Sequence, residues 1–205
     1  MLKELNEINT GMVEFGCSLL GKSLYDLTFA SMGGECVHPY AYSGIIQALE
    51  ILMKAAIAEK HPLLIYEKIP KLTSKKNQLD EFFKKARSRS FLDLPDLLAL
   101  TTNYQIECKL LETAWINRCK IIHIGHNLNL DYTYSGLDLT FKIIDPFIYT
   151  FWKRSSIDET TSFDSETPIY LVEHCLDYDI DFKIHKGLIT EDDEIFPRLN
   201  DQHYY

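Results

Sequence analysis

The chain has 205 residues, 46% of them hydrophobic, and a net charge of −9 at neutral pH. That length fits one domain, or one domain with an extension, and the composition suffices for a packed core. The negative balance argues against a protein that coats nucleic acid in general, and no apolar run approaches the roughly 18 residues that span a bilayer.

The N-terminal MLKELNEINTGM lacks the continuous apolar stretch of a secretory signal, so a cytoplasmic protein is expected. Leu2, Leu5, Ile8, Met12, Phe15 and Leu19 recur at three- and four-residue steps and predict an amphipathic helix with these residues as its apolar stripe. SMGGECVHPYA, 31–41, predicts a break, with its glycine pair and proline. From Tyr42 to Glu59, the spacing of Ile45, Ile46, Leu49, Leu52, Met53, Ala56 and Ile57 predicts a second helix, and propensity agrees with pattern.

The lysine-rich stretch 71–78 reads as a loop, and LDEFFKKAR, 79–87, as a short helix. DLPDLLALTTNYQ predicts another, with Asp93 as its cap and Pro95 in its first turn. A long helix follows from about residue 104 to about residue 124, with Gly125 and Asn127 as stop signals. NLNLDYTYS, 127–135, reads as a loop. GLDLTFKIIDPFIYTFWKR, 136–154, predicts a helix that Pro146 kinks or divides.

SSIDETTSFDSET, 155–167, is polar and reads as a linker. IYLVEHCLDYDIDFKIH, 169–185, suits a helix in its first half and alternates like a strand in its second. The acidic ITEDDEIFPRLNDQHYY reads as disordered or held by a partner. There are no internal repeats. The sum is an all-α antiparallel bundle of four to five main helices over residues 1–154, followed by an acidic C-terminal extension, 155–205.

Charge is unevenly spread. Lys68, Lys71, Lys75, Lys76, Lys84, Lys85, Arg87 and Arg89 make a basic middle, whereas residues 158–205 hold thirteen acids and three bases. Solvated surfaces account for both; an anion site and a partner-binding tail are the functional alternative. Cys17, Cys36, Cys108, Cys119 and Cys175 are odd in number and contain no CxxC, so reduced thiols are expected.

The stretch with the most chemistry is RCKIIHIGHNL, 118–128. On a wheel of ~100° per residue, Arg118 falls inside the apolar stripe formed by Ile106, Leu110, Leu111, Ala114, Ile121 and Ile122. A guanidinium there needs a partner, a cleft or another chain. His123 falls ~140° away from it around the axis, off the stripe, so one regular helix does not focus the pair on a small ligand.

Three readings compete. Basic residues near the last carbonyls of a helix are favourable in themselves. Cys119, His123 and His126 have tolerable metal-ligand spacing, but no second ligand cluster accompanies them. Arginine and histidine together suffice for metal-free RNA cleavage: histidine moves protons near neutral pH, arginine holds a phosphate, and the 2′-OH is the nucleophile.

Arg118-Cys-Lys-Ile-Ile-His123-Ile-Gly125 resembles the R-x4–6-H signature of the HEPN superfamily, which there ends a long helix. AYSGIIQALEILMKAAIAEKHP, 41–62, is similar to the family's earlier long helix, whose acid and lysine four apart match Glu50 and Lys54. Taken alone, that pair reads as a surface i,i+4 ion pair. The resemblance covers about the first 155 residues.

It implies a homodimeric helical bundle and a metal-independent endoribonuclease without cofactor, of toxin–antitoxin, CRISPR or phage-defence type. The two motifs would face each other across the dimer. Arg118 would bind the phosphate and His123 would act as general acid/base, with Cys119, Glu50, Lys54, Asn117 and His126 supporting. Cys119 stands where the family frequently has Asn, Asp or His. Beside what the resemblance implies, Lys71, Lys75, Lys76, Lys84 and Lys85 offer a hold for an RNA backbone, and Tyr104, Trp115 and Tyr132 offer rings for stacking bases, although buried aromatics are more often core. A cognate antitoxin or defence-system partner would be expected, and no membrane. A non-catalytic dimerisation or partner-binding module of the same fold is the alternative.

Overall fold

The computed structural model describes residues 2–29, 37–71, 78–125, 129–186, 188–189 and 193–205. Helix α1 (Leu2–Thr28) and helix α2 (Val37–Lys60) form its longest pair. Ile45, Ile46, Ala48, Leu49, Leu52, Met53, Ala55, Ala56 and Ile57 of α2 are all fully buried. They cover more than half of the helix circumference, so α2 packs against several neighbours at once, while Gln47 stays exposed and Glu50 and Lys54 lie half-buried on the remaining arc. By length and composition alone α2 is apolar enough to span a bilayer, although Glu50 and Lys54 interrupt its run in the sequence; 72% of its most apolar window is buried inside the protein, as in a core helix.

The α1–α2 contact is set by small residues. A Cβ on Gly16 would stand 2.8 Å from Leu52, and one on Gly44 would stand 2.3 Å from the Ser23 hydroxyl. These two contacts run the helices antiparallel. The buried stripe of α1 is therefore Val13, Cys17, Leu20, Leu24 and Leu27, with the glycines beside it. This corrects the expected stripe: Phe15 is 60% exposed, and Met12 and Leu19 are half-buried. The side chains of Leu2, Leu5 and Ile8 lie outside the described set. The helix also continues nine residues beyond Leu19, because its second half carries the core.

After a 3-10 turn at Pro62–Ile65, strand β1 (Tyr66–Lys68) pairs antiparallel with β2 (Arg87–Ser88). Helix α3 (Gln78–Lys85) lies between them in sequence. Helix α4 (Leu94–Thr102) carries Pro95 in its first turn, as the sequence predicts, but the Asp93 carboxylate does not cap it. That carboxylate instead accepts a bond from the Ser90 hydroxyl at 2.8 Å.

Helix α5 (Cys108–Ile124) starts four residues later than expected, after Asn103 turns the chain in the left-handed region, and ends at left-handed Gly125. Helix α6 (Tyr132–Leu139) begins inside the segment expected to be a loop, because Asp131 caps it by accepting from the Tyr134 amide at 2.9 Å. A π-turn, Thr140–Ile144, joins α6 to α7 (Asp145–Trp152), so Pro146 divides the predicted helix without breaking its course. Proline has no N–H for the regular ladder, and the neighbouring Asp145 amide bonds back to the Thr140 carbonyl instead.

Residues 155–167 are not a linker. Ser155, Ser156, Ile157, Thr160 and Thr167 are fully buried. The Glu159 carbonyl sits so close to α1 that a Cβ on Gly21 would be 2.3 Å from it. Arg154 fastens this segment through both nitrogens of its fork to Glu159, at 2.6 and 2.8 Å, and through Nη1 to Glu14 at 2.8 Å. Helix α8 (Thr167–Asp177) then buries Leu171, Val172 and Cys175 in the same core as α1 and α2.

The second half of the ambiguous segment does alternate. Ile180, Phe182 and Ile184 are buried, while Asp181 and Lys183 are exposed. Of the acidic tail, residues 193–205 are ordered against the bundle. Ile184 forms a parallel bridge with Tyr204, the Tyr205 ring stacks on Tyr149 at 4.1 Å, and the Tyr205 hydroxyl donates to the Asp145 carboxylate.

Candidate functional site on helix α5

Helix α5 is the least buried long helix of the bundle. Leu111, Ala114 and Ile121 are its buried residues, and they press it against α2. Ile122, expected in that stripe, is 46% exposed, and Ile106 precedes the helix. Asn117 bonds the Tyr42 hydroxyl of α2; burial raises the pKa of that phenol and the Asn117 bond pulls it down. Asn117 thus fastens α5 to α2 and takes no position toward His123.

Arg118 is half-buried between Ala114 and Ile121 on this inner side. Its guanidinium carbon lies 5.1 Å from the centre of the Trp115 ring, one turn back. Trp115 in turn stacks flat on Phe91, 5.0 Å away and within 8° of parallel. The Nε of Arg118 is buried without a hydrogen-bond partner, and Arg118 makes no ion pair among the described residues. An orphaned buried N–H costs about 1–3 kcal/mol, so this is an expensive place to keep a cation with nothing to bind.

His123 lies on the opposite, solvent side in the last turn, exposed. It shares that side with exposed Ile116 and Lys120 and half-buried Cys119, a free thiol. The helix is regular through Ile124, so the ~140° between Arg118 and His123 holds in the folded chain. Within one chain the two are not brought together.

The supporting residues are dispersed. Glu50 and Lys54 pair at 2.7 Å and are mostly covered, with 20% and 12% of their side chains exposed. Lys54 reaches on to the Ser88 hydroxyl at 3.4 Å, so the pair ties α2 to β2. Among the described residues neither Glu50 nor Lys54 is hydrogen-bonded or ion-paired to Arg118 or His123. His126, Lys75 and Lys76 lie outside the described residues, as does Cys36. Of the basic set, Lys71 and Lys84 are exposed, while Lys85 is paired with Glu81 at 2.6 Å and Arg87 with Glu67 at 3.2 Å. Arg89 donates from Nε to the Leu64 carbonyl at 3.0 Å.

The expected stacking aromatics are corrected. Tyr132 is buried against Tyr42, and Tyr104 packs edge-on against Phe147 and Phe151. Trp115 is occupied by Phe91 and Arg118. Rings spent on the core are not platforms for bases. The Phe91–Trp115–Arg118 arrangement was not read from the sequence, although Trp115 and Arg118 at i,i+3 are its visible signal.

Family models, curated proteins and solved structures yield no match to this chain. Among the described residues no group of three or more His, Cys, Asp or Glu is placed to hold a metal ion. The site's chemistry rests on its own residues: a permanent cation with an unpaired donor, and an exposed imidazole on the far side of the same helix.

Proposed function

We propose that the chain is a HEPN-type, metal-independent endoribonuclease that works as a homodimer. The observation that carries this reading is Arg118: a cation held on an aromatic ring, with an unpaired buried donor and no ion pair among the described residues. Such a guanidinium suits a phosphate, which would supply the missing acceptor. His123 is exposed, so its imidazole is free to reach a substrate and serve as general acid/base. Because one helix separates the two groups, the complete site would draw Arg118 from one protomer and His123 from its partner. The 2′-OH would attack the adjacent phosphate, leaving a 2′,3′-cyclic phosphate and a 5′-hydroxyl, with Arg118 stabilising the charge that develops.

The test is cleavage of structured RNAs in EDTA by wild type, Arg118→Ala and His123→Ala. Wild type should cut to cyclic-phosphate ends, and each variant should lose about two orders of magnitude or more. A folded wild type as inert as its variants across several RNAs would overturn the reading. One observation favours a second reading, a non-catalytic binding module: Ile116, Ile122 and Ile124 of α5 are 51%, 46% and 74% exposed, large apolar side chains that a partner chain would cover.

A further inference from the structure

Four aromatic rings form a continuous row on the surface where α1 ends and α8 begins. Tyr170 of α8 meets Phe29 edge-on at 5.5 Å, Phe29 meets Tyr25 at 5.1 Å, and Tyr25 meets Phe163 at 6.3 Å. None is enclosed: Tyr170 is 42% and Phe163 38% exposed, and Tyr25 and Phe29 are half-buried. None is stacked flat on a neighbour either, in contrast to Trp115 on Phe91. Rings are costly side chains to leave in water, and a contiguous exposed row marks a surface of interaction.

The charge beside the row has one sign. At ~100° per residue, Glu166, Tyr170, Glu173 and Asp177 fall within an arc of ~60° on α8, opposite the buried Leu171, Val172 and Cys175. Glu166 and Asp177 are exposed, and Glu173 is half-buried. Asp177 is paired with Arg198 at 2.7 Å. Glu166 and Glu173, which flank Tyr170, make no ion pair among the described residues. A nucleic acid or an anionic membrane would meet these carboxylates with like charge, whereas a basic partner complements them.

The protein itself shows how this surface holds a cation. The Lys22 ammonium lies 5.1 Å from the centre of the Tyr25 ring and pairs with the Asp26 carboxylate, so one ring and one acid share it. Tyr170 between Glu166 and Glu173 repeats that combination. The two glutamates are two helical turns apart, about 10 Å along the axis. A polyproline II segment rises about 9 Å in three residues and brings the third back to the same face. Segments of that form are the ones that aromatic-lined surfaces take.

We propose that this surface docks a basic segment of a partner protein, held in polyproline II form with two arginines three positions apart. The guanidinium groups meet Glu166 and Glu173, one of them against the Tyr170 ring, and the rest of the segment covers Phe29, Tyr25 and Phe163. The surface involves no residue of α5 and stands if the RNA chemistry proposed above fails.

The experiment is calorimetric titration of the full chain with a nine-residue peptide that has arginines at its fourth and seventh positions and proline or alanine elsewhere. A second peptide replaces both arginines with uncharged citrulline, and a third places them side by side. The variants are Tyr170→Ser and the pair Glu166→Gln with Glu173→Gln; melting curves check that they fold. Asp96→Asn with Glu112→Gln, both exposed and on α4 and α5, removes the same charge elsewhere. The first peptide should bind one per chain, and the citrulline peptide and the side-by-side peptide should each bind about tenfold more weakly or worse. The glutamate pair should cost about tenfold, Tyr170→Ser about threefold, and the control pair less than about twofold. The proposal is overturned by no binding at millimolar peptide, by equal binding of the three peptides, or by a control pair that weakens binding as much as the glutamate pair does. It is also overturned if oligouridylate binds in place of the peptide, or if the chain dimerises through Tyr170 and takes no peptide.

Discussion

At the scale of single residues, the close contacts of α1 are the most sensitive points. Gly21→Ala drives a Cβ into the Glu159 carbonyl, which is backbone and cannot swing aside. It should lower unfolding free energy by about 1–3 kcal/mol in a urea titration, whereas Gly11→Ala, with open space around it, should not destabilise. Asp145 offers a test by pH. Burial raises its pKa above the ordinary 3.8, against the pull of the Tyr205 and Ser156 bonds. The folded state therefore binds this proton more tightly than the unfolded chain does. The contribution is fully present below about pH 4 and is lost as pH rises through the raised folded value. The difference in stability between wild type and Asp145→Asn should accordingly move against wild type over that rise; a flat difference from pH 3.5 to pH 8 would contradict it. Much of this scale was legible: Arg118 on the inner side and His123 on the outer follow from helical periodicity alone. The α1 stripe was not, because glycines make the closest contacts there and carry no hydrophobic signal.

At the scale of elements, caps and turns decide what periodicity leaves open. Asp131 and Asp93 both precede helices, and both resemble caps in sequence. Only Asp131 accepts a bond from its helix. Asp131→Ala should cost about 1 kcal/mol of stability in thermal unfolding, and Asp93→Ala distinctly less. The difference was hidden because a competing hydroxyl, Ser90, takes the Asp93 carboxylate. The 155–167 segment was misread for a related reason. Its serines and threonines look solvated by composition, yet Ser155, Ser156, Thr160 and Thr167 are buried beside Ile157 and the Arg154–Glu159 fork, while Thr161, Ser162 and Ser165 stay exposed. Conversely, the alternation of 180–184 was visible as a strand-like pattern even though, among the described residues, it pairs through the single bridge from Ile184 to Tyr204.

At the scale of the whole molecule, the all-α bundle was readable from helix count and spacing, while the reach of the core was not. Ile157, Leu171, Val172 and Cys175 are fully buried among α1 and α2 residues. A chain ended at Arg154 should therefore lose the single cooperative urea transition that the full chain shows by circular dichroism and tryptophan fluorescence together. The two-chain arrangement proposed for the site also has its own signature. Arg118→Ala and His123→Ala chains, unfolded together and refolded, form mixed dimers in which one composite site keeps both groups. Random mixing should return about a quarter of wild-type cleavage; no recovery, with mixed dimers present, would place both groups in one chain's site.

The uneven burial of α2 and α5 has a consequence for how the protein breathes. Amides of Ile45, Ile46, Ala48, Leu49, Leu52, Met53, Ala55, Ala56 and Ile57 belong to fully buried residues, so their hydrogens should exchange with solvent through global opening, at rates that report total stability. Among the described residues, helix α5 buries three side chains fully and is otherwise held by the Asn117–Tyr42 bond and the stacking of Trp115 on Phe91. Its amides should exchange far sooner, through openings that leave the centre intact. The helix that carries Arg118 and His123 is thus the one able to shift by a fraction of a turn at little thermodynamic expense to the rest.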